Sequence, residues 1–145
     1  MKKLLLSALA VFAFAGHGDN IDDPGMTLLN ENNYKGALEV FKKECKNGNG
    51  WACGNAGYLL YKGKNIKHDI TLAKKYFNKG CDLKDIDSCI NLGEIAYVEQ
   101  NMVAAKGYFQ KACGMKEYIK LAPKFVRALY VKDVESSCKK AAAIK

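Results

Sequence analysis

The chain has 145 residues, of which 49% are hydrophobic and 26% are charged, with 23 lysines and arginines against 15 aspartates and glutamates. This length allows one compact domain or one short repeat array, and the composition excludes an intrinsically disordered chain and a polytopic membrane protein. The formal net charge is +8 and the chain contains six cysteines. What these cysteines do depends on the compartment in which the protein folds.

The first 15 residues have the pattern of a signal peptide. Lys2 and Lys3 precede an apolar run that ends in Ala-Phe-Ala before Gly16. A basic start, a short hydrophobic stretch and an A-x-A site are typical of secretory signals. A helix over this run would span only about 18 Å, which is well short of the roughly 30 Å hydrocarbon core. We predict cleavage after Ala15, export to the periplasm or out of the cell, and no permanent membrane anchor.

Two sequence blocks recur along the rest of the chain. The first block ends in Phe-x3-Cys or a close variant and occupies residues 37–45, 73–81 and 105–113. The second block reads Cys-x-Asn-x-Gly-x3-Tyr and begins at Cys53 and again at Cys89. Such self-similarity at a fixed period is the signature of a repeat architecture.

Each block has the apolar spacing of a helix. The first type places apolar residues at i, i+3, i+4 and i+8, as in Ala73, Tyr76, Phe77 and Cys81. The second type places Cys53, Gly57, Leu60 and Tyr61 at i, i+4, i+7 and i+8, which is also one helix face. Short turns separate the two types, so each repeat is predicted to be a helix hairpin that stacks on its neighbours. Gly57 and Gly93 recur at one position of the second helix, where we predict that a neighbouring helix packs too closely for a side chain.

The third repeat departs from the pattern. Leu121 stands where the second cysteine should fall, Pro123 lies in the expected second helix, and the last cysteine is Cys138. We predict a further helix over residues 133–143 that begins with Asp133 or Ser136 as its cap and closes the array.

The repeats divide the chain into five segments. These are a signal peptide at 1–15, an N-terminal segment with a leading half-repeat helix at 16–33, repeat 1 at 34–68, repeat 2 at 69–101, and a degenerate repeat 3 with a C-terminal capping helix at 102–145. The predicted fold class is all-α, an α/α solenoid of helix hairpins.

The cysteines favour structural disulfides over chemistry. Six cysteines allow 15 pairings from sequence alone. Redox catalysis favours a C-x-x-C motif, which is absent, and a zinc site would need more than the two histidines, His17 and His68. We therefore predict no metal and no cofactor.

The repeated motifs resemble a known family. Ala-x2-[Tyr/Val]-Phe-x-Lys-x-Cys followed by Cys-x-Asn-x-Gly-x3-Tyr is similar to the Sel-one-like repeat (SLR), and more narrowly to the secreted Helicobacter-type cysteine-rich (Hcp) family. The resemblance covers roughly residues 25–113. It implies a disulfide-bridged solenoid related to tetratricopeptide arrays, in which each bridge ties the two helices of one hairpin. The implied pairs are Cys45–Cys53 and Cys81–Cys89, with Cys113 and Cys138 remaining for a third bridge.

The resemblance also brings an enzymatic alternative, since some of these cysteine-rich proteins are described as penicillin-binding or weak β-lactamases. Residues 136–140 contain the S-x-x-K pattern twice, through Ser136 with Lys139 and Ser137 with Lys140. The S-D-N and K-T-G motifs of the serine enzymes are absent, and the chain is too short for that fold. We therefore expect a protein that binds and does not catalyse.

Two sets of residues are candidates for ligand binding. Asn55 and Asn91 recur at one helix position, where they could read a peptide backbone, as equivalent asparagines do in related arrays, or donate a hydrogen bond to the adjoining repeat. A cationic stripe would form if the third repeat were helical throughout, from Lys116, Lys120, Lys124 and Arg127. The expected partner is a protein or peptide, or a peptidoglycan-related or anionic component of the envelope, and not nucleic acid. The rival to binding by this stripe is a solvated face of a capping helix.

Overall fold

The computed structural model describes residues 23–145, and the signal-peptide prediction lies outside them. This part of the chain contains α-helices and no strand. The helices are α1 (Pro24–Asn30), α2 (Tyr34–Lys46), α3 (Gly50–Lys62), α4 (Ile70–Asp82), α5 (Ile86–Val98), α6 (Met102–Gly114), α7 (Lys116–Lys120) and α8 (Lys124–Ala143). They pack in adjacent pairs, so the prediction of an all-α solenoid of hairpins is confirmed. Within residues 23–145, no helix has the length and apolarity needed to cross a membrane.

Side-chain caps explain where the first six helices begin. Each is preceded by an aspartate or asparagine whose side-chain oxygen accepts a hydrogen bond of 2.8–3.1 Å from the backbone N–H three residues later. Each such cap stabilises its helix by about 1 kcal/mol. The caps of α1 to α6, in order, are Asp23, Asn33, Asn49, Asp69, Asp85 and Asn101.

The turns inside the α2–α3 and α4–α5 hairpins each contain a left-handed residue. Gly48 has a φ of 93° between α2 and α3, and Lys84 has a φ of 69° between α4 and α5. These two residues occupy the same repeat position, because 84 minus 48 equals the 36-residue period. Glycine adopts this conformation freely, whereas lysine does so at a steric cost. The left-handed backbone therefore recurs at this repeat position whether or not the residue is a glycine.

The chain forms two compact units, of which the first ends at Lys84 and the second begins at Asp85. In the first unit, α1 packs on α2, α2 on α3 and α3 on α4. The fully buried rings of Phe41 and Phe77 form its centre. A Cβ atom on Gly57 would lie 2.8 Å from Cδ1 of Phe77, and one on Gly25 would clash with the ring of Phe41. Glycine is therefore required at both positions for close helix packing.

The second unit repeats this packing. Helix α5 packs on α6, and α8 packs on α6 and α7. A Cβ atom on Gly93 would lie 2.6 Å from Cε1 of Phe109, whose side chain is buried with Ala96, Ala105 and Ala141. The predicted close approach at Gly57 and Gly93 is thereby confirmed. Gly25 shows that α1 makes the same contact, as expected of a second helix from an incomplete leading repeat.

Two disulfides join helices within the units. Cys45 and Cys53 link the end of α2 to the start of α3, and Cys113 and Cys138 link α6 to α8. Cys81 and Cys89 are also disulfide-bonded, and no cysteine in the described part of the chain is free.

The C-terminal helix is longer than the sequence suggested. The prediction of a helix over residues 133–143 with Asp133 or Ser136 as its cap is wrong, because α8 is continuous from Lys124 to Ala143. Pro123 precedes this helix and separates it from α7. A proline has no N–H to donate and disfavours helical backbone in the residue before it, so the chain turns at Leu121–Pro123 and starts a new helix.

Candidate binding pockets of the C-terminal unit

One pocket of the second unit, here called the aromatic pocket, lies between α5, α6 and the end of α8. Its volume is about 280 Å³. The lining residues are Glu94 and Tyr97 from α5, Phe109 from α6, and Lys140, Ala143 and Ile144 at the end of the chain. This volume is just below the roughly 300–1,000 Å³ of pockets for drug-sized ligands. The pocket therefore has room for one large side chain.

An ion pair lies at the rim of the aromatic pocket. The Lys140 ammonium donates to a carboxylate oxygen of Glu94 and lies 5.2 Å from the centroid of the Phe109 ring. Both charged side chains are 45% exposed. Exposed ion pairs contribute about 0–1 kcal/mol, so a ligand can replace either partner at little cost. The pocket thus offers two aromatic side chains, Tyr97 and Phe109, with one donor and one acceptor.

The two repeated asparagines have different surroundings. The side-chain nitrogen of Asn55 donates to the backbone carbonyl of Trp51 in the same helix, at 3.0 Å. This bond lies within α3, so it is neither of the two alternatives that the sequence left open for Asn55, a peptide ligand or the adjoining repeat. Asn91 is half-buried and lies three residues before Glu94 on α5. This spacing places Asn91 on the helix face next to the aromatic pocket.

The four predicted cations do not form one helical stripe, because the turn at Leu121–Pro123 interrupts the helix. Lys116, Lys120 and Arg127 instead line one small pocket, whereas Lys124 does not. This second pocket, here called the cationic pocket, lies between α7 and α8 and has a volume of about 100 Å³. Its other lining residues are Ile119, Val131, Val134 and Glu135.

The S-x-x-K residues are not assembled as a nucleophile and base. The Ser137 hydroxyl is buried and donates to the backbone carbonyl of Asp133 at 2.8 Å. Lys140 is paired with Glu94, whereas Ser136 and Lys139 are exposed on α8. In residues 23–145, no group of three or more histidine, cysteine, aspartate or glutamate side chains is arranged to hold a metal ion.

The cap of α5 carries a buried carboxylate that the sequence reasoning missed. Asp85 is only 7% exposed, and its oxygen accepts hydrogen bonds from the backbone N–H, at 2.9 Å, and the hydroxyl of Ser88. Burial raises the pKa of Asp85 from 3.8 to about 6, and the Asp87 charge adds to this, although the Ser88 hydrogen bonds oppose it. The D-x-x-S pattern before an apolar run is the signal that could have identified this cap.

Tyr130 is close to the same carboxylates. Burial raises the pKa of its hydroxyl, and the negative charges of Asp87, Asp85 and Asp133 raise the pKa further. Burial, followed by the Asp133 charge, also raises the pKa of Asp87. Asp85, Asp87 and Asp133 therefore form an acidic cluster beside Tyr130 on the second unit.

The Asp85 substitution to asparagine is expected to stabilise the protein at neutral pH. A carboxylate whose pKa is raised on folding binds more protons in the native state between about pH 4 and 6, so its contribution to stability falls as the pH rises through this window. A shift of this size corresponds to at most about 3 kcal/mol. Asparagine keeps the cap without the charge. Asp85→Asn should therefore raise the free energy of unfolding at pH 7 by roughly 2 kcal/mol and have little effect at pH 4.

Urea denaturation followed by circular dichroism at several pH values would measure this difference. Asp69→Asn is the matched control, because it also removes a carboxylate from a helix cap but at an exposed position. A stability difference between Asp85→Asn and the parent that does not change between pH 4 and 7 would contradict the expectation.

Comparison with known proteins identifies the helix array. The Sel1 repeat model matches residues 52–85 and 86–115. Residues 52–115 therefore form two Sel1 repeats. The first match covers nearly all of α3 together with α4, and the second covers α5 and α6, so each Sel1 repeat contains one of the packed glycine–phenylalanine pairs, Gly57–Phe77 or Gly93–Phe109. Gly25 and Phe41 make the same contact before the first matched repeat.

Similarity to individual proteins covers a short stretch. The chain is 50% identical over 40 residues to a protein from Helicobacter pylori strain J99 named "Putative beta-lactamase HcpC". It is 53% identical over 34 residues to the protein of the same name from strain 26695. These stretches are 25% and 23% of this chain and 14% and 12% of the relatives, so the chain spans about one seventh of their length. No solved structure matches the chain significantly.

Proposed function

We propose that this Sel1 repeat protein is a disulfide-bridged scaffold that binds a protein or peptide ligand through the aromatic pocket. The observation that carries the proposal is the combination of two aromatic walls, from Tyr97 and Phe109, with an exchangeable ion pair at the rim. An aromatic or branched side chain of a peptide would occupy the apolar part. Polar groups of its backbone would meet Glu94 and Lys140.

The compartment forms part of this proposal. The disulfides fit an oxidising environment outside the cytoplasm. Export through residues 1–15 and release after Ala15 would deliver the chain there. The ligand would then be an envelope or extracellular protein, with a peptidoglycan-related peptide as an alternative of similar chemistry.

Selection of peptides on the oxidised protein would test the proposal. A random peptide library displayed on phage is enriched on the immobilised chain, and the affinity of the best peptide is measured by fluorescence anisotropy. Tyr97→Ser and Lys140→Glu should each weaken binding by about tenfold or more, because each removes one wall or reverses one charge of the pocket.

Tyr58→Ser is the matched control for this experiment. Tyr58 and Tyr97 are both 51% exposed, but Tyr58 does not line the aromatic pocket. Its substitution should change the affinity by less than about twofold. Failure to enrich any peptide, or an equal loss with Tyr58→Ser, would overturn the proposal.

The name of the relatives raises hydrolysis of β-lactams as a second candidate. Its support in this chain is the S-x-x-K pattern, whose Ser137 and Lys140 are engaged elsewhere. A chromogenic cephalosporin assay distinguishes the two functions. Turnover that disappears in Ser136→Ala or Ser137→Ala would favour the enzyme over the scaffold.

A further inference from the structure

The cationic pocket combines an apolar floor with a charged rim. Helix α7 contributes Ile119 and α8 contributes Val134 to the floor, and both side chains are buried. The side chains of Lys116, Lys120 and Arg127 are exposed beside it. A small apolar site ringed by cations fits a ligand that is aliphatic at one end and anionic at the other.

The rim has an excess of positive charge. Three cations face one lining carboxylate, Glu135, which leaves a net charge of +2 on the lining residues. Lys120 donates to Glu117 at 2.7 Å, so its charge is partly neutralised. Among the residues described by the structure, Lys116 and Arg127 have no ion-pair partner. These two cations are therefore available to a ligand.

The pocket is also held in shape by the covalent structure. Every lining residue lies between Cys113 and Cys138, inside the loop that this disulfide closes. Pro123 sets the turn between the two helices that form the walls. A preformed site loses less conformational entropy on binding than a flexible one.

We propose that the cationic pocket binds a carboxylate that carries a short aliphatic group. The Arg127 guanidinium can hold a carboxylate through two parallel hydrogen bonds, and Lys116 adds a second positive charge. The volume of about 100 Å³ accepts a branched alkyl group of a few carbons and excludes a larger ring system. This chemistry occurs at the C-terminal residue of a peptide and in a free short-chain acid. The site is separate from the aromatic pocket, so either proposal can fail without the other.

Titration of the oxidised, ¹⁵N-labelled protein would test this assignment. The probes are N-acetyl-glycyl-valine, its C-terminal amide, isovalerate and inorganic phosphate, and the readout is the shift of the backbone amides of Ile119 and Val131. Both aliphatic carboxylates should bind, and the amide should bind at least about tenfold more weakly because it lacks the charge. If the dipeptide binds more tightly than isovalerate, the natural ligand is a peptide C-terminus. If isovalerate binds at least as tightly as the dipeptide, the natural ligand is a free short-chain acid.

Matched variants locate the binding site. Arg127→Gln and Lys116→Gln should each weaken the dipeptide by about tenfold, whereas Lys124→Gln, in the same stretch but outside the pocket, should change its affinity by less than about twofold. Equal binding of the amide, phosphate binding as tight as that of isovalerate, or an equal loss with Lys124→Gln would each overturn the proposal.

Discussion

Replacing Gly93 with leucine is expected to lower the free energy of unfolding by about 4 kcal/mol. The first atom of the new side chain would lie 2.6 Å from the buried Phe109 ring, and the remaining atoms have no space between α5 and α6. Because protein interiors are close-packed, the two helices would have to separate. Urea denaturation monitored by circular dichroism measures the loss.

Gly107→Ala is the matched control. Gly107 is also inside a helix, α6, but apart from the adjacent backbone of that helix no described atom lies within 4 Å of the position that its Cβ would occupy. Alanine should therefore stabilise the protein by up to about 1 kcal/mol through its higher helix propensity. Phe109→Ala makes space for the leucine, so the loss in Gly93→Leu/Phe109→Ala should be smaller than the sum of the losses in the two single variants. The explanation fails if Gly93→Leu has nearly parental stability, or if the two losses simply add.

Removing the Cys113–Cys138 disulfide by a double serine substitution is expected to cost about 3.5 kcal/mol, against about 2.5 kcal/mol for Cys45–Cys53. The difference arises because the first bridge closes a separation of 25 residues and the second one of 8. The C-terminal bridge also holds α7 and α8, which, unlike the six preceding described helices, begin without a side-chain cap.

Denaturation of the two double variants under non-oxidising and non-reducing conditions compares the bridges directly. The Cys45→Ser/Cys53→Ser variant is the control for loss of a disulfide from a capped hairpin. A smaller cost for the C-terminal bridge than for this control would contradict the loop-length argument.

Local patterns were sufficient to predict the helices of the repeats. The spacing of Ala73, Tyr76, Phe77 and Cys81 identifies a buried helix face, and the recurrence of Gly93 indicates a close contact. The contact partner, Phe109, could have been inferred only from the repeat register. The six Asp and Asn caps are visible in the sequence as short polar residues before each apolar run.

The pockets required the tertiary structure. Glu94 and Lys140 are 46 residues apart, and no periodicity in the sequence relates them. Lys116 and Arg127 line one pocket from two different helices, which their spacing in the sequence does not show, because the chain turns at Leu121–Pro123 between them. The burial of Ser137 also depends on the tertiary structure, because α8 turns this hydroxyl toward the core.

The alternation of covalent and packed junctions has a mechanical consequence. In the first unit, α1 and α2 are joined by the Gly25–Phe41 contact, α2 and α3 by a disulfide, and α3 and α4 by the Gly57–Phe77 contact. Under tension applied to the chain ends, the packed junctions can part, but the covalent ones cannot. The Cys113–Cys138 bridge alone keeps roughly 85 Å of chain from extending, because the 25 residues that it closes off would each add up to about 3.4 Å to a stretched chain. The oxidised protein can therefore be stretched by an amount that its disulfides, and not its packing, define.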